Sequence, residues 1–271
     1  MFQKSYKILS TEKLNNTTFS FVISCPELAE ESWCGRFVNV LCGEKTLRRP
    51  ISISEIDKQN GTITIVFEVR GDGTKWMSER KAGDELDILG PLGNGFFPDK
   101  TKRGIFIGGG IGCPPMLGAA KEYGSDAEVI LGFRSQENAI LTDKFKSVAK
   151  RVEITTNDGT LGAKGFVTDM LKNMVQNGEN AIVYACGPTP MLKSVTALCK
   201  EKNIKCYVSL EQRMACGIGA CLCCAQKTRD EDGEHMKHVC KNGPVFDWSE
   251  ALKKAAPLIS LKFSKKEDIW I

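Results

Sequence analysis

Four cysteines toward the C-terminal end, Cys216, Cys221, Cys224 and Cys240, stand in the order C-x4-C-x2-C-x15-C. Thiolates at this spacing read as a four-sulfur cradle for a [2Fe-2S] cluster, a group that moves one electron at a time. The run Gly217, Ile218, Gly219, Ala220 between the first two is small and permissive enough to turn backbone amides toward sulfur. A zinc site from Cys221 and Cys224 with His235 and His238 would leave ten residues between the pairs and two between the histidines, outside the usual finger spacing. A disulfide framework fits no better, because the start MFQKSYKILSTEKLNN lacks the apolar segment of a secretory signal. The twelve cysteines are therefore expected to be reduced, in the cytoplasm. Cys223 falls inside the C-x2-C gap and is expected to point away from the metal. His235 and His238 read as solvated groups or neighbours of the ligands, and no residue of the chain is singled out as a general base.

Three further stretches could handle phosphate or a ring cofactor. Gly108-Gly109-Gly110-Ile111-Gly112-Cys113-Pro114-Pro115 follows an apolar strand and opens a helix, so Gly109, Gly110, Ile111 and Gly112 could bring backbone amides to a pyrophosphate. The turn departs from the dinucleotide fingerprint, with Cys113 at the third glycine and no acidic residue after Phe133-Arg134. By itself it also reads as a tight turn with no ligand. Arg49, Pro50, Ile51 and Ser52 place a guanidinium, suited to a diphosphate, beside a hydroxyl. Gly73 and Thr74 could add an amide and a second hydroxyl to the same group. Cys186, Gly187 and Pro188 end a later strand, where open α/β sheets place their ligands.

The elements that position these residues can be read from periodicity. Thr62 to Arg70 alternates, with Ile63, Ile65, Phe67 and Val69 on one face. Short strands are also expected at Thr18 to Ser24, Arg36 to Leu41 and Glu85 to Leu89, which together favour a small closed antiparallel barrel over residues 1–99. From about Gly104 buried strands and helices alternate: Gly104 to Gly110, Ala127 to Phe133, Arg151 to Thr156, Ala181 to Cys186 and Lys205 to Leu210, with a helix from Thr189 to Lys202 that carries Pro190 in its first turn. This predicts a doubly wound α/β unit over 100–210 and leaves a short Cys-rich module over 211–271. A net charge of +4 with scattered basic residues argues against nucleic acid, and no run is long enough to span a membrane. The Lys262 to Lys266 stretch reads as a solvated tail.

Taken in order, the blocks LRRPISI (Leu47 to Ile53), VRGDGT (Val69 to Thr74), GPLGNGF (Gly90 to Phe96), GGGIGCPP, CGPTPM, EQRMACGIGACLCC (Glu211 to Cys224) and CKNGPVF (Cys240 to Phe246) resemble the ferredoxin-NADP reductase superfamily. Within it the chain resembles the electron-transfer subunits of type B dihydroorotate dehydrogenase. The resemblance implies an α+β multidomain fold: a flavin-binding β-barrel, an NAD-binding α/β domain and a [2Fe-2S] module. It implies that Arg49 to Ser52 contact FAD and its diphosphate, that Val66, Phe67 and Glu68 line the flavin through backbone contacts, and that Gly73 and Thr74 bind the diphosphate. It implies the four cluster ligands Cys216, Cys221, Cys224 and Cys240. It also implies a heterotetramer with an FMN-containing dihydroorotate-oxidising subunit, two copies of each, with NAD as diffusible substrate. Met214, Ile218 and Leu222 are the expected apolar contacts at that interface. Flavin and iron-sulfur subunits of transhydrogenases or hydrogenase-linked reductases are the alternative, and they often differ at the position of Cys216. Arg134 and Ser135 leave NAD against NADP open.

Overall fold

The computed structural model describes residues 1–230 and 232–251, so the Lys262 to Lys266 stretch lies outside the described residues. The first unit is built from β1 (Phe2–Lys13), β2 (Thr18–Ser24), α1 (Pro26–Glu31), β3 (Phe37–Val40), β4 (Arg49–Asp57), β5 (Thr62–Glu68), α2 (Asp72–Ser78) and β6 (Glu85–Leu92). The strands close into an antiparallel barrel in the order β1-β2-β5-β4-β3-β6. Alternation accounts for its filling: Ile8, Phe21, Ile23, Val38, Val40, Ile53, Ile63, Ile65, Phe67 and Ile88 all point inward into one apolar core. Val66 points the other way, yet it is buried too, because the outer face of β5 packs against the second unit.

That unit contains β7 (Arg103–Gly109), a 3-10 turn at Gly110–Gly112, α3 (Cys113–Tyr123), β8 (Glu128–Phe133), α4 (Thr142–Val148), β9 (Arg151–Thr156), β10 (Ala163–Lys164), α5 (Val167–Met174), β11 (Ala181–Cys186), α6 (Thr189–Glu201) and β12 (Lys205–Ser209). Buried Val, Ile and Phe fill the strands, as expected for a parallel sheet covered on both faces. Helix α3 joins the core on one side of the sheet, whereas α5 and α6 join the core on the other. The sheet runs β10-β9-β8-β7-β11-β12, so the chain winds outward in both directions from the β7/β11 pair. Their carboxyl ends flank the crevice where such sheets bind ligands. The barrel is fastened to this unit at α3: Ser54 donates its hydroxyl to the Pro114 carbonyl at 3.1 Å, and a Cβ on Gly118 would strike the Ser54 carbonyl.

The Cys-rich segment adds a hairpin, β13 (Ala225–Asp230) with β14 (Gly233–His238), then α7 (Val239–Asn242), β15 (Val245–Asp247) and α8 (Trp248–Ala251). It is tied to both larger units. Strand β15 pairs antiparallel with β12 as the edge of the large sheet, and Cys224, Val239, Cys240 and Phe246 enter the same core as α5 and α6. Toward the barrel, Asn94 donates its backbone N–H to the Gly243 carbonyl at 2.6 Å and its side-chain amide to the carbonyls of Lys241 and Asn242. Gly93, at φ +72, approaches Gly243 and Pro244 so closely that no Cβ would fit. The GPLGNGF block therefore clamps α7, which carries Cys240, to the barrel exit.

Candidate functional site

At the start of β4, Arg49 to Ser52 pair with β3 on one side, with Arg49 opposite Val40 and Ser52 opposite Phe37. On the other side β4 and β5 pair from Asp57 opposite Thr62 as far as Ile53 opposite Ile65, and the ladder stops there. Continued in register, it would next have joined Ser52 to Val66, Ile51 to Phe67 and Pro50 to Glu68. The residues that the resemblance assigns to the flavin thus flank the place where this seam of the barrel opens. The Arg49 guanidinium lies over Gly73, where a Cβ would come within 2.5 Å of Nε and push the arginine aside. Arg49 also donates from Nη1 to the Leu47 carbonyl at 2.5 Å.

Thr74 differs from expectation in one respect. Its hydroxyl donates to the Gly71 carbonyl at 3.0 Å and accepts from the N–H groups of Arg70, at 2.9 Å, and Gly71, at 3.2 Å. The side chain closes the first turn of α2 and is buried, so what it can offer an anion is its backbone amide. Glu68 is engaged through its carboxylate with Arg70 Nε at 2.7 Å, which leaves its backbone as the part turned to the open seam.

The turns after β7 and β11 stand back to back. A Cβ on Gly112 would collide with the Cys186 carbonyl and come within 2.6 Å of the Gly187 amide nitrogen, and one on Gly109 would run into Met191. Gly187, at φ +158, rests on the Gly109 backbone. Gly110, at φ +53, has nothing within 4 Å of its would-be Cβ, so the outer side of this turn is open. Ile111 is half-buried. Cys113 and Cys186 are enclosed, and burial holds the Cys113 thiol well above the usual range and pushes that of Cys186 up to about 12. Burial thus favours the neutral thiol at both positions. Strand β5 packs beside this turn, bringing the barrel seam and the glycine turn to one cleft. Ser135 donates its hydroxyl to Asn138 at 2.9 Å.

The cysteine loop forms two pairs. Cys216 Sγ accepts the N–H groups of Ala220 at 3.3 Å and Ile218 at 3.5 Å, made possible by Gly217 at φ +73 and Gly219 at φ +86. Burial works to raise the Cys216 thiol, but the N–H groups of Ile218, Cys221 and Ala220 together with the Cys221 side chain outweigh it and bring it down to about 6. Such a nest of amides suits a thiolate bound to metal. Cys224 Sγ accepts the Cys240 N–H at 3.4 Å, and burial, then the hydrogen bond with Cys224, pushes the Cys240 thiol up to about 12. Among the described residues no three His, Cys, Asp or Glu side chains converge on a single point as they would around one metal ion. The paired arrangement has the donor set of a cluster with two metal atoms, four thiols that are free of disulfides.

Cys223 is exposed, and its thiol is raised by burial and by the neighbouring Cys221 and Cys224. His235 and His238 both lie on β14. His238 is less open than its polar context suggests, for its Nε2 is closed off from solvent. Of the expected interface residues Ile218 and Leu222 are exposed, at 45% and 66%, whereas Met214 is half-buried and packs onto the core that includes Cys224 and Cys240. Two residues escaped the sequence reading. Asn94 carried a signal in its GNG context, and Asn39 carried one as a lone polar residue in Phe37-Val38-Asn39-Val40.

Among the described residues no helix is long and apolar enough to cross a membrane. Residues 106–197 match the oxidoreductase NAD-binding domain, and residues 211–251 match the iron-sulfur cluster binding domain of dihydroorotate dehydrogenase B. The fold is similar to that of an NADH-dependent reduced ferredoxin-NADP oxidoreductase solved in work on flavin-based electron bifurcation, with a TM-score of 0.79 and 30% identity over 91% of this chain and 89% of that one. The chain is 44% identical to the dihydroorotate dehydrogenase B (NAD(+)) electron transfer subunit of Caldanaerobacter subterraneus, over 80% of this chain and 85% of the relative. It is 43% identical to the subunit of the same name from Fusobacterium nucleatum, over 78% and 84%. With the cluster domain laid across all four cysteines and such relatives matched over most of their length, the chain belongs to the family of dihydroorotate dehydrogenase B electron transfer subunits.

Proposed function

We propose that this chain carries electrons from the FMN of a separate dihydroorotate-oxidising subunit, through a [2Fe-2S] cluster and FAD, to NAD, as part of pyrimidine synthesis in the cytoplasm, in a complex of two copies of each subunit. The observation that carries the reading is the adjacency of three sites in one chain: the open β4/β5 seam, the glycine turn beside it, and the cysteine loop clamped to the barrel by Asn94. FAD supplies the exchange between hydride chemistry with a nicotinamide and single-electron chemistry with the cluster. The chain's residues position and screen these groups. Arg49, over Gly73, neutralises a diphosphate; the backbone of Val66 to Glu68 offers its polar groups along the seam; Gly109 to Gly112 and Cys186 to Pro188 form the two walls for a dinucleotide. Cys216, Cys221, Cys224 and Cys240 hold the irons. Among the described residues the mechanism calls on no general base, and proton removal from a dihydropyrimidine is left to the partner.

If Arg49 holds the diphosphate, Arg49→Ala weakens FAD retention by roughly ten- to a hundredfold, the worth of a charge-assisted pair of about 1.5–3 kcal/mol. Flavin content and dissociation rate after dilution read this directly, and wild-type values would reject the assignment.

Reconstitution tests the function as a whole. The isolated, cofactor-loaded chain is expected to reduce artificial acceptors with NADH but to leave dihydroorotate untouched, and electron transfer from dihydroorotate to NAD is expected only when the FMN subunit is added. The exposure of Ile218 and Leu222 beside the four cysteines supports docking of that subunit at this end of the chain. The likeness to the ferredoxin-NADP oxidoreductase favours a second reading, a flavin and iron-sulfur subunit serving another oxidoreductase. Dihydroorotate oxidation by this chain alone, or no gain on adding the FMN subunit, would put that second reading first.

A further inference from the structure

We propose that Asn39, a residue of the barrel, hydrogen-bonds to the iron-sulfur cluster at the Cys216 side and raises its reduction potential. On β3 the side chains of Val38 and Val40 enter the barrel core, which turns Asn39 to the outer face, between Pro50 of β4 and Leu89 of β6. There it is 0% exposed, and neither Nδ2 nor Oδ1 has a hydrogen-bond partner within the described chain. Buried carboxamides are almost always paired, since an unsatisfied one forfeits its hydration and gains nothing. An amide placed in the apolar run Phe37-Val38-Asn39-Val40 therefore has its partner outside the protein's own donors and acceptors.

The group that covers the amide identifies that partner. Gly217 lies so close that a Cβ on it would collide with Asn39 Nδ2, and the Leu92 side chain lies 3.3 Å from the same point. Gly217 immediately follows Cys216, whose sulfur already collects the N–H groups of Ile218 and Ala220. Pro50, opposite Asn39, belongs to the strand assigned to the flavin. Asn39 thus stands between the flavin strand and the first cluster ligand, and its N–H faces the cysteine loop. A donor aimed at cluster sulfur stabilises the reduced form, which carries one more negative charge, and so lifts the potential toward the value at which an electron is shared with the flavin. The inference rests on the assignment of Cys216 as a ligand.

The test is an EPR-monitored redox titration of the full chain loaded with FAD and cluster. Asn39→Leu keeps the branched shape at somewhat larger volume and removes the donor; Asn39→Ala removes it while sparing space, should the leucine hinder folding. In either variant the cluster is expected to keep its iron but titrate lower, changing the electron-sharing equilibrium with the flavin about tenfold, or ~59 mV for a one-electron couple. Its EPR g-values should shift as well, with FAD content and flavin potential unchanged. Wild-type potential and g-values in both variants overturn the proposal, whatever happens to melting temperature, and would leave the amide a purely structural group. A shift in the flavin potential instead of the cluster's overturns it equally. Cys216→Ser, run alongside, separates the two levels: if it retains a normal cluster, the ligand assignment itself has failed.

Discussion

Replacing any one of Cys216, Cys221, Cys224 and Cys240 with serine is expected to strip or destabilise the cluster, while Cys223→Ser leaves its visible absorption and EPR signal intact. The contrast is sharp because Cys223 and Cys224 are adjacent and differ only in direction. Cys224 is 2% exposed and accepts the Cys240 N–H, whereas Cys223 is exposed to solvent. The backbone explains how neighbours diverge: Leu222 adopts φ +61, a left-handed residue that kinks the chain just ahead of the pair. Cys216→Ser is expected to have the largest effect, since the amides of Ile218 and Ala220 are arranged to stabilise a thiolate, and a serine hydroxyl stays protonated where these amides favour the ionised thiol. Iron and sulfide content with EPR of each purified variant checks the series. Cluster loss in Cys223→Ser together with retention in Cys224→Ser would show that the wrong sulfur had been chosen.

The strands that alternate or run continuously apolar were legible in the sequence: β2, β9 and β11 have the expected bounds, and β5, β8, β12 and α6 lie within a residue or two of theirs. Other elements were not. Strand β1, FQKSYKILSTEK, buries only Tyr6 and Ile8 and carries charge elsewhere, so its pattern is too weak to call attention to a strand that nonetheless closes the barrel against β6. The β13/β14 hairpin and β15 were hidden in a segment that reads as Gly- and Cys-rich loop, and β15 is a strand because β12 offers it an open edge. At the site, spacing was enough to propose the cysteines, since ligand geometry is largely local. What spacing could not supply was contact in three dimensions: the Arg49 guanidinium over Gly73, the commitment of the Thr74 hydroxyl to Gly71, the packing of half-buried Met214 onto the core, and the orphaned amide of Asn39 under Gly217. Three of these join segments distant in sequence, and the Thr74 bond depends on how the backbone turns into α2.

Gly112→Ala is expected to abolish most nicotinamide chemistry while leaving flavin and cluster in place. The turn after β7 and the turn after β11 meet at this residue, and both its nearest neighbours, the Cys186 carbonyl and the Gly187 amide, are backbone. Backbone cannot rotate away as a side chain could, so a methyl group at Gly112 has to push the two strand ends apart. Those strand ends are the walls of the crevice at the point where the sheet order reverses, and Gly109, resting against Gly187, would move with them. A displacement on the scale of an ångström at a site that aligns a nicotinamide for hydride transfer costs about a hundredfold in rate. The barrel seam and the cysteine loop are built from other segments, so FAD content and the cluster's EPR signal should match wild type. Stopped-flow reduction of the bound flavin by NADH reads the effect at the step in question. A rate within a few-fold of wild type would mean that the glycine turn packs the sheet without gripping the dinucleotide, and the nicotinamide site would have to be sought on another edge of the cleft.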